Sequence, residues 1–239
     1  MKRSLTLLAS AMLFVNNVYA EDATVEKSLW KASAELGFVS TTGNTETETL
    51  NAKAKASTDR EKWRHKAEIT SLNSSDATTR TAQKVTLMGK SDYKLEGKNF
   101  LFGVVSYENE KFSGYDYRVT EAIGYGRRVV ENADMILDLE VGPGARQSKL
   151  DNGDTENESM LRVAAAYDWT ISKTSKFSEV FTVEMGEDVT VSKSVTSLSS
   201  QIEGNLSMKV TLTYKNTSDV PVGVENTDTE TAVTLVYNF

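Results

Sequence analysis

The sequence predicts an all-β fold, a closed antiparallel transmembrane β-barrel of about twelve strands in residues 21–239, with both termini on the periplasmic side. Three observations carry that prediction. Apolar and polar side chains alternate at a period of two along most of the chain, as they do where one face of each strand meets lipid and the other a lumen. The connections between these segments are by turns compact and long. The last eleven residues, Thr229 to Phe239, alternate throughout and stop on an aromatic, which would leave a bare sheet edge unless another strand covers it.

At the other end, Lys2 and Arg3 precede an apolar run from Leu5 to Val15, and Val18-Tyr19-Ala20 places small residues before a cleavage point at Glu21. The run is shorter than the roughly 20 apolar residues a spanning helix needs. Residues 1–20 therefore read as a removable export signal to the Gram-negative outer membrane. No cysteine follows it, which removes a lipid-anchor site and a disulfide framework. The composition, 39% hydrophobic and 26% charged, looks soluble on average, and a barrel gives that average because its two faces alternate. Without Lys2 and Arg3, 25 basic residues stand against 34 acidic, a net charge of −9 that argues against a nucleic-acid surface.

The expected strands cover 29–41, 46–58, 62–73, 81–93, 99–110, 116–127, 134–147, 157–169, 176–187, 190–201, 206–216 and 229–239. The first sets Trp30, Ala32, Ala34, Leu36 and Phe38 against Lys31, Ser33 and Glu35, and the second sets Leu50, Ala52, Ala54 and Ala56 against Asn51, Lys53 and Lys55. In the eighth, Leu161, Val163, Ala165, Tyr167 and Trp169 oppose Met160 and Arg162. The eleventh alternates most cleanly, Leu206, Met208, Val210, Leu212 and Tyr214 on one face and Ser207, Lys209, Thr211, Thr213 and Lys215 on the other. Two places resist the pattern: Glu121 and Glu179 fall on the lipid face, and 189–202 is polar on both faces. Bulges, interface positions or a wrong register would each account for them.

Connections near residues 59–61, 95–98, 130–133, 172–175 and 203–205 are compact, whereas 73–80, 147–156 and 218–228 are longer and more polar. Short turns belong on the periplasmic side of such barrels, which sets the expected orientation. Trp63, Phe100, Trp169, Phe177, Tyr237 and Phe239 cluster at the compact-turn ends and fit an interfacial aromatic girdle. Tyr237 and Phe239 also have the form of a C-terminal assembly signal.

Charge is densest in Glu108 to Arg118 and Gly142 to Arg146. Folding 116–147 about a turn near residue 131 sets Asp116 opposite Arg146 and Arg118 opposite Gly144. The flanking loops bring Glu108 beside Arg118 and Glu158 beside Arg146. All five are even-numbered on strands whose even side faces the lumen, so Glu108, Asp116, Arg118, Arg146 and Glu158 are expected to form a lumen charge cluster near the outer mouth. Such a cluster acts either as a charge-selective constriction or as a self-satisfied plug that pins strand register, and its near balance of charge favours the plug. Gly142-Pro143-Gly144 reads as a bend, because proline cannot donate to a central ladder.

Other candidates are weaker. His65 shares a face with Trp63, Ala67 and Ile69, on the lipid or rim side, with no evident nucleophile beside it. The acidic loop Asp151-Asn152-Gly153-Asp154-Thr155-Glu156 lacks the spacing of a helix-flanked calcium loop and reads as a solvated turn. No catalytic, cofactor or metal set is expected.

Thr42-Gly43-Asn44-Thr45-Glu46-Thr47, Trp63-Arg64-His65, Lys90-Ser91-Asp92-Tyr93, Phe112-Ser113-Gly114-Tyr115-Asp116-Tyr117-Arg118, Gly142-Pro143-Gly144 and the strand from Asp228 to Phe239 carry a family resemblance. Across nearly all of residues 21–239 the chain resembles the bacterial salt-induced outer-membrane protein family, itself a domain of unknown function. The resemblance implies an outer-membrane barrel of this size and a link to salt or osmotic stress. It implies no catalytic residues. The sequence therefore points to a narrow or plugged porin-like channel or an envelope structural protein, with a rim enzyme acting on lipid or peptide as the alternative. Expected partners are outer-membrane lipid and lipopolysaccharide, periplasmic chaperones and the barrel-insertion machinery, with the protein a monomer.

Overall fold

A computed structural model of the protein describes residues 30–42, 47–76, 79–111, 114–220 and 223–239. The expected export signal, residues 43–46 and Phe112-Ser113 lie outside the described residues. Within them the chain forms twelve strands: β1 Trp30–Thr42, β2 Thr47–Asp59, β3 Trp63–Asp76, β4 Thr79–Lys94, β5 Asn99–Lys111, β6 Tyr115–Glu131, β7 Met135–Leu150, β8 Thr155–Thr170, β9 Ser175–Gly186, β10 Thr190–Glu203, β11 Leu206–Thr217 and β12 Thr227–Asn238. Each strand pairs antiparallel with its sequence neighbours, and β1 closes the ring against β12, from Ser33 opposite Asn238 to Thr42 opposite Thr229. The Phe239 amide adds a further bond to the Ala32 carbonyl at 2.9 Å. Closure leaves the sheet of described strands with no open edge, the condition for crossing hydrocarbon.

The barrel is inside out relative to a water-soluble domain. Large apolar side chains point outward, Leu50 75% and Ile123 68% exposed, while Glu35, Asp92, Asp138, Glu140 and Arg146 are buried within. A continuous apolar outer band is what lipid solvates and water does not. At the compact-turn rim Trp63 packs edge-on to Tyr93 at 5.0 Å, Tyr167 on Phe177 at 6.2 Å, and Tyr237 edge-on to Phe239 at 5.0 Å. The girdle is real, with one correction. Phe100 lies on the even, lumen side of β5 and is buried, because an aromatic at a strand end reveals depth but not face.

Two expectations about the loops change. The 73–80 stretch is mostly ladder, with Ser75 opposite Arg80 and Asp76 opposite Thr79, and β7 and β8 extend to Leu150 and Thr155. Antiparallel pairing costs nothing to continue past the lipid boundary, so only 218–226 among the described connections stays long. The polar stretch 189–202 is strand from Thr190 onward with one irregularity between Gln201 and Glu203, and the β9–β10 register runs unbroken past Glu179, so neither a bulge nor a slip explains that acid. Its carboxylate lies on the outer face and accepts hydrogen bonds from Ser194 Oγ at 2.6 Å and from Thr196 Oγ1. The hydroxyls that make β10 polar on its outer side thus satisfy the acid that makes β9 irregular.

Candidate functional site: the charged lumen

The lumen is built asymmetrically. On the β4 to β8 side, Phe100, Phe102, Ala122 and Met160 pack into a buried apolar cluster. Glycines on the lumen face of β6 and β7 make room for it: a Cβ at Gly126 would lie 2.2 Å from Phe100 Cε2, and one at Gly124 would lie 2.3 Å from the Val141 carbonyl. The ladder between β6 and β7 is interrupted between the Ala122–Gly144 and Tyr125–Val141 pairs, where Gly142-Pro143-Gly144 lies. Strand backbones draw together there, and the aromatic rings fill the space above them.

Around those rings runs an ion-pair network. Arg64 Nε meets Asp92 at 2.6 Å and its Nη1 meets Asp138 at 3.0 Å, although β3 and β7 stand four strands apart in the wall. Lys90 joins Asp92, at 3.0 Å, to Glu140, which also takes Arg162 at 3.0 Å, and Arg128 holds Asp138 at 2.8 Å. Arg64 stacks over Phe100 at 5.0 Å and Arg162 over Phe102 at 5.6 Å, so the cations also cover the rings. Nearly balanced charges of this kind, held on apolar faces, form a filled wedge.

The five residues expected to form one cluster are divided among three places. Arg146 and Glu158 are opposite one another and pair at 2.6 Å as expected. Arg146 is 2% exposed and also reaches Glu184 at 3.3 Å and the Val189 carbonyl at 3.0 Å. Asp116 does not join it: Thr120 stands opposite Arg146, and Ser148 opposite Arg118, a register four residues from the expected one because the hairpin turns at 132–134. Asp116 sits in an irregularity between Tyr115 and Tyr117 and is exposed, its carbonyl accepting from Asn109 Nδ2 at 2.5 Å. Arg118 stands opposite Glu108 in the β5–β6 ladder, as expected, but donates to Ser148 Oγ at 3.3 Å and lies 4.3 Å from the Tyr115 ring.

Glu108 is drawn elsewhere. It accepts from Lys215 Nζ at 3.0 Å and lies 3.6 Å from Lys84, while Glu110 holds Lys84 at 2.9 Å and Lys215 at 3.7 Å. β5 and β11 are six places apart in a ring of twelve, so the Lys215–Glu108 bond crosses the lumen at its full width. Both residues stand within three positions of their strand ends at the longer-loop rim. A partly open space of about 30 Å³, lined by Glu108, Glu110, Arg118, Lys215, Val220 and Val224, lies beside the bond, room for about one water. Sequence reasoning missed Lys84 and Lys215 as partners of Glu108, although both have the right parity. Local hairpin folding pairs neighbours and says nothing of a partner 107 residues away.

The remaining side of the lumen is wet toward the compact turns, while Leu72 and Ala232 form a small buried pair farther along it. Lys66 and Val180 both face inward yet are exposed, Val180 by 38%. Near them Lys53 pairs with Glu68 at 2.6 Å, Lys55 lies 3.6 Å from Glu35 and 3.8 Å from Glu68, and Lys209 holds Glu35. All six charged groups lie within six residues of the compact-turn ends of their strands.

His65 lies outside, as expected, stacked at 5.6 Å on Trp63, and it has a partner the sequence did not reveal: Ser91 Oγ at 2.8 Å across the β3–β4 ladder. A serine nucleophile also needs donors aimed at an oxyanion, and amides in a regular ladder are already spent on the neighbouring strand. The pair anchors the aromatic rim.

Solved structures that share this fold include two channels and a translocator domain. The NanC porin superposes with a TM-score of 0.58 at 10% identity, over 85% of this chain and 98% of that one. An outer membrane channel from Pseudomonas putida F1 gives 0.51 at 9% identity, over 93% and 100%. The translocator domain of autotransporter NalP from Neisseria meningitidis gives 0.51 at 12%, over 97% and 92%. In sequence, the chain is 25% identical to the uncharacterized protein YdiY of Escherichia coli (strain K12) over 98% of its own length and 96% of that protein's. The family model described as protein of unknown function, DUF481, matches residues 34–239, and the chain belongs to that family.

Proposed function

We propose that the protein is a narrow, non-enzymatic channel of the Gram-negative outer membrane whose aqueous path runs along one side of its lumen. The observation that carries this reading is the pair of inward-facing, solvent-exposed residues Lys66 and Val180 inside a closed wall, beside a wedge that fills the other side. The compact turns and the Trp63, Trp169 and Phe239 rim lie in the periplasm, and the Lys215–Glu108 bond narrows the outer mouth. Single-channel recording in planar bilayers tests the reading. Small, discrete conductance steps support it; a sealed membrane, both for the natural chain and for Lys215→Ala, would leave an envelope structural role in its place.

The family resemblance extends the proposal to salt or osmotic stress. A transcript that rises on a shift to high NaCl supports the extension, and a constant one removes it. Assembly follows from the same barrel: Tyr237 and Phe239 pack together at the closing seam and present the aromatic signal that the insertion machinery reads. Phe239→Ala should slow insertion, seen as delayed heat-modifiable migration on gels. Unchanged kinetics would reduce the residue to a girdle role.

A further inference from the structure

The charges on the wet side of the lumen do not balance. Among the described residues Lys53, Lys55, Lys66 and Lys209 surround two carboxylates, Glu35 and Glu68, an excess of two positive charges. The imbalance is built into the ladder. Lys66 stands directly opposite Lys90, and like charges in that position oppose each other. Lys90 is committed to Asp92 and Glu140, whereas Lys66 has no ion-pair partner within 4 Å among the described residues. The same arrangement recurs nearer the outer mouth, where Lys193 stands opposite Lys215 and Lys215 is taken by Glu108.

The surroundings of the four lysines suit an oxygen-rich anion. Ser33 is opposite Lys55, Ser57 opposite Lys66 and Thr70 opposite Lys53, so a hydroxyl on the same lumen face neighbours three of the ammonium groups. Each ammonium is a mobile donor of three hydrogen bonds on a flexible stem. The apolar wedge across the lumen excludes water, which concentrates the field of the unpaired cations into the remaining space. A monovalent halide would neutralise one lysine; an anion with two separated charges could engage Lys66 together with Lys53, Lys55 or Lys209.

We propose that Lys53, Lys55, Lys66 and Lys209 form an intraluminal binding site for small multivalent oxyanions, solutes bearing carboxylate or phosphate groups. The proposal deepens the channel reading and rests on it for access to the site. Bound anion restores the charge balance, and the passage is correspondingly selective for anions over cations.

Two measurements separate the site from the channel. Isothermal titration of citrate, and separately of pyrophosphate, into the detergent-solubilised full-length protein reads binding without requiring conduction. Reversal potentials in a KCl gradient, with citrate added as a blocker, read selectivity. The proposal expects saturable citrate binding, a chloride preference, and block at low citrate. Lys66→Gln should raise the half-blocking concentration several-fold and move the reversal potential toward zero, with Lys66→Arg restoring both. Heat-modifiable migration confirms that each variant is folded. Citrate binding without any conductance would keep the site and overturn the channel. Conductance with cation preference, or with citrate binding unchanged in Lys66→Gln, would overturn the site and keep the channel. Binding of pyrophosphate alone would restrict the ligand to phosphates.

Discussion

The two sides of this lumen are lined by the same alternation of inward polar and outward apolar residues, yet one is packed and the other is wet. Along β4 to β8 the inward positions include Phe100, Phe102, Ala122 and Met160, and the charges among them are cross-linked: Arg64 to Asp92 and Asp138, Lys90 and Arg162 to Glu140. Along β1 to β3 and β9 to β12 the inward positions carry lysines, serines and threonines with cations in excess around Glu35 and Glu68, and the buried apolar cluster there is only the pair Leu72 and Ala232. A barrel wall therefore does not decide whether its interior conducts. What decides is whether inward side chains can satisfy one another without water. Aromatic rings capped by guanidinium groups can, and opposed lysines cannot.

The comparison is broken most sharply at Arg146. This buried guanidinium ties Glu158 and Glu184 together at the top of the packed side, and Arg146→Ala leaves two carboxylates facing each other. Removing one partner of a buried pair costs about 3–5 kcal/mol, and lumen water softens the loss toward the lower figure. Combining it with Glu158→Gln should recover part of the stability in urea unfolding. Losses that simply add would show Arg146 acting alone.

Next comes Phe102→Ala, which empties part of the wedge at a cost of about 3 kcal/mol, the low end for a buried phenylalanine. It should also raise conductance, because the vacated volume adjoins the aqueous path. Val180→Ala, the same kind of truncation on the wet side, should cost well under 1 kcal/mol, since an exposed side chain gives up little burial. Equal costs at the two positions would erase the distinction between the sides.

Lys215→Ala should also change stability little. Its bond to Glu108 sits at the mouth in partial contact with water, so its loss should cost at most about 1 kcal/mol. Conductance reads it better: removing the Lys215 contacts that span the full width should increase the single-channel step. An unchanged step would place the narrowest point elsewhere.

The strands were legible because a period of two holds over most of each strand, and the expected β10 and β11, 190–201 and 206–216, fall within two residues of those observed. The register of β6 on β7 was not. Its turn was centred two residues early, which slipped the pairing by four and lost the Asp116–Arg146 contact while keeping Arg146 on the correct face, because an even slip preserves parity. Asp116 was lost a second way, through an irregularity that only the folded ladder reveals. Arg146–Glu158 was legible as a local hairpin pair. The wedge and the cross-lumen bond were not, since both are made by residues that meet through the middle of the barrel rather than along its wall.

Thiol accessibility tests the two-sided lumen most directly, and the chain has no cysteine of its own to interfere. Val180→Cys and Phe102→Cys place one thiol on each side, and each is exposed to a small anionic methanethiosulfonate in intact membranes. Rapid modification at position 180 with position 102 protected for as long as the barrel stays folded is the predicted result. Comparable rates at the two positions would contradict the account.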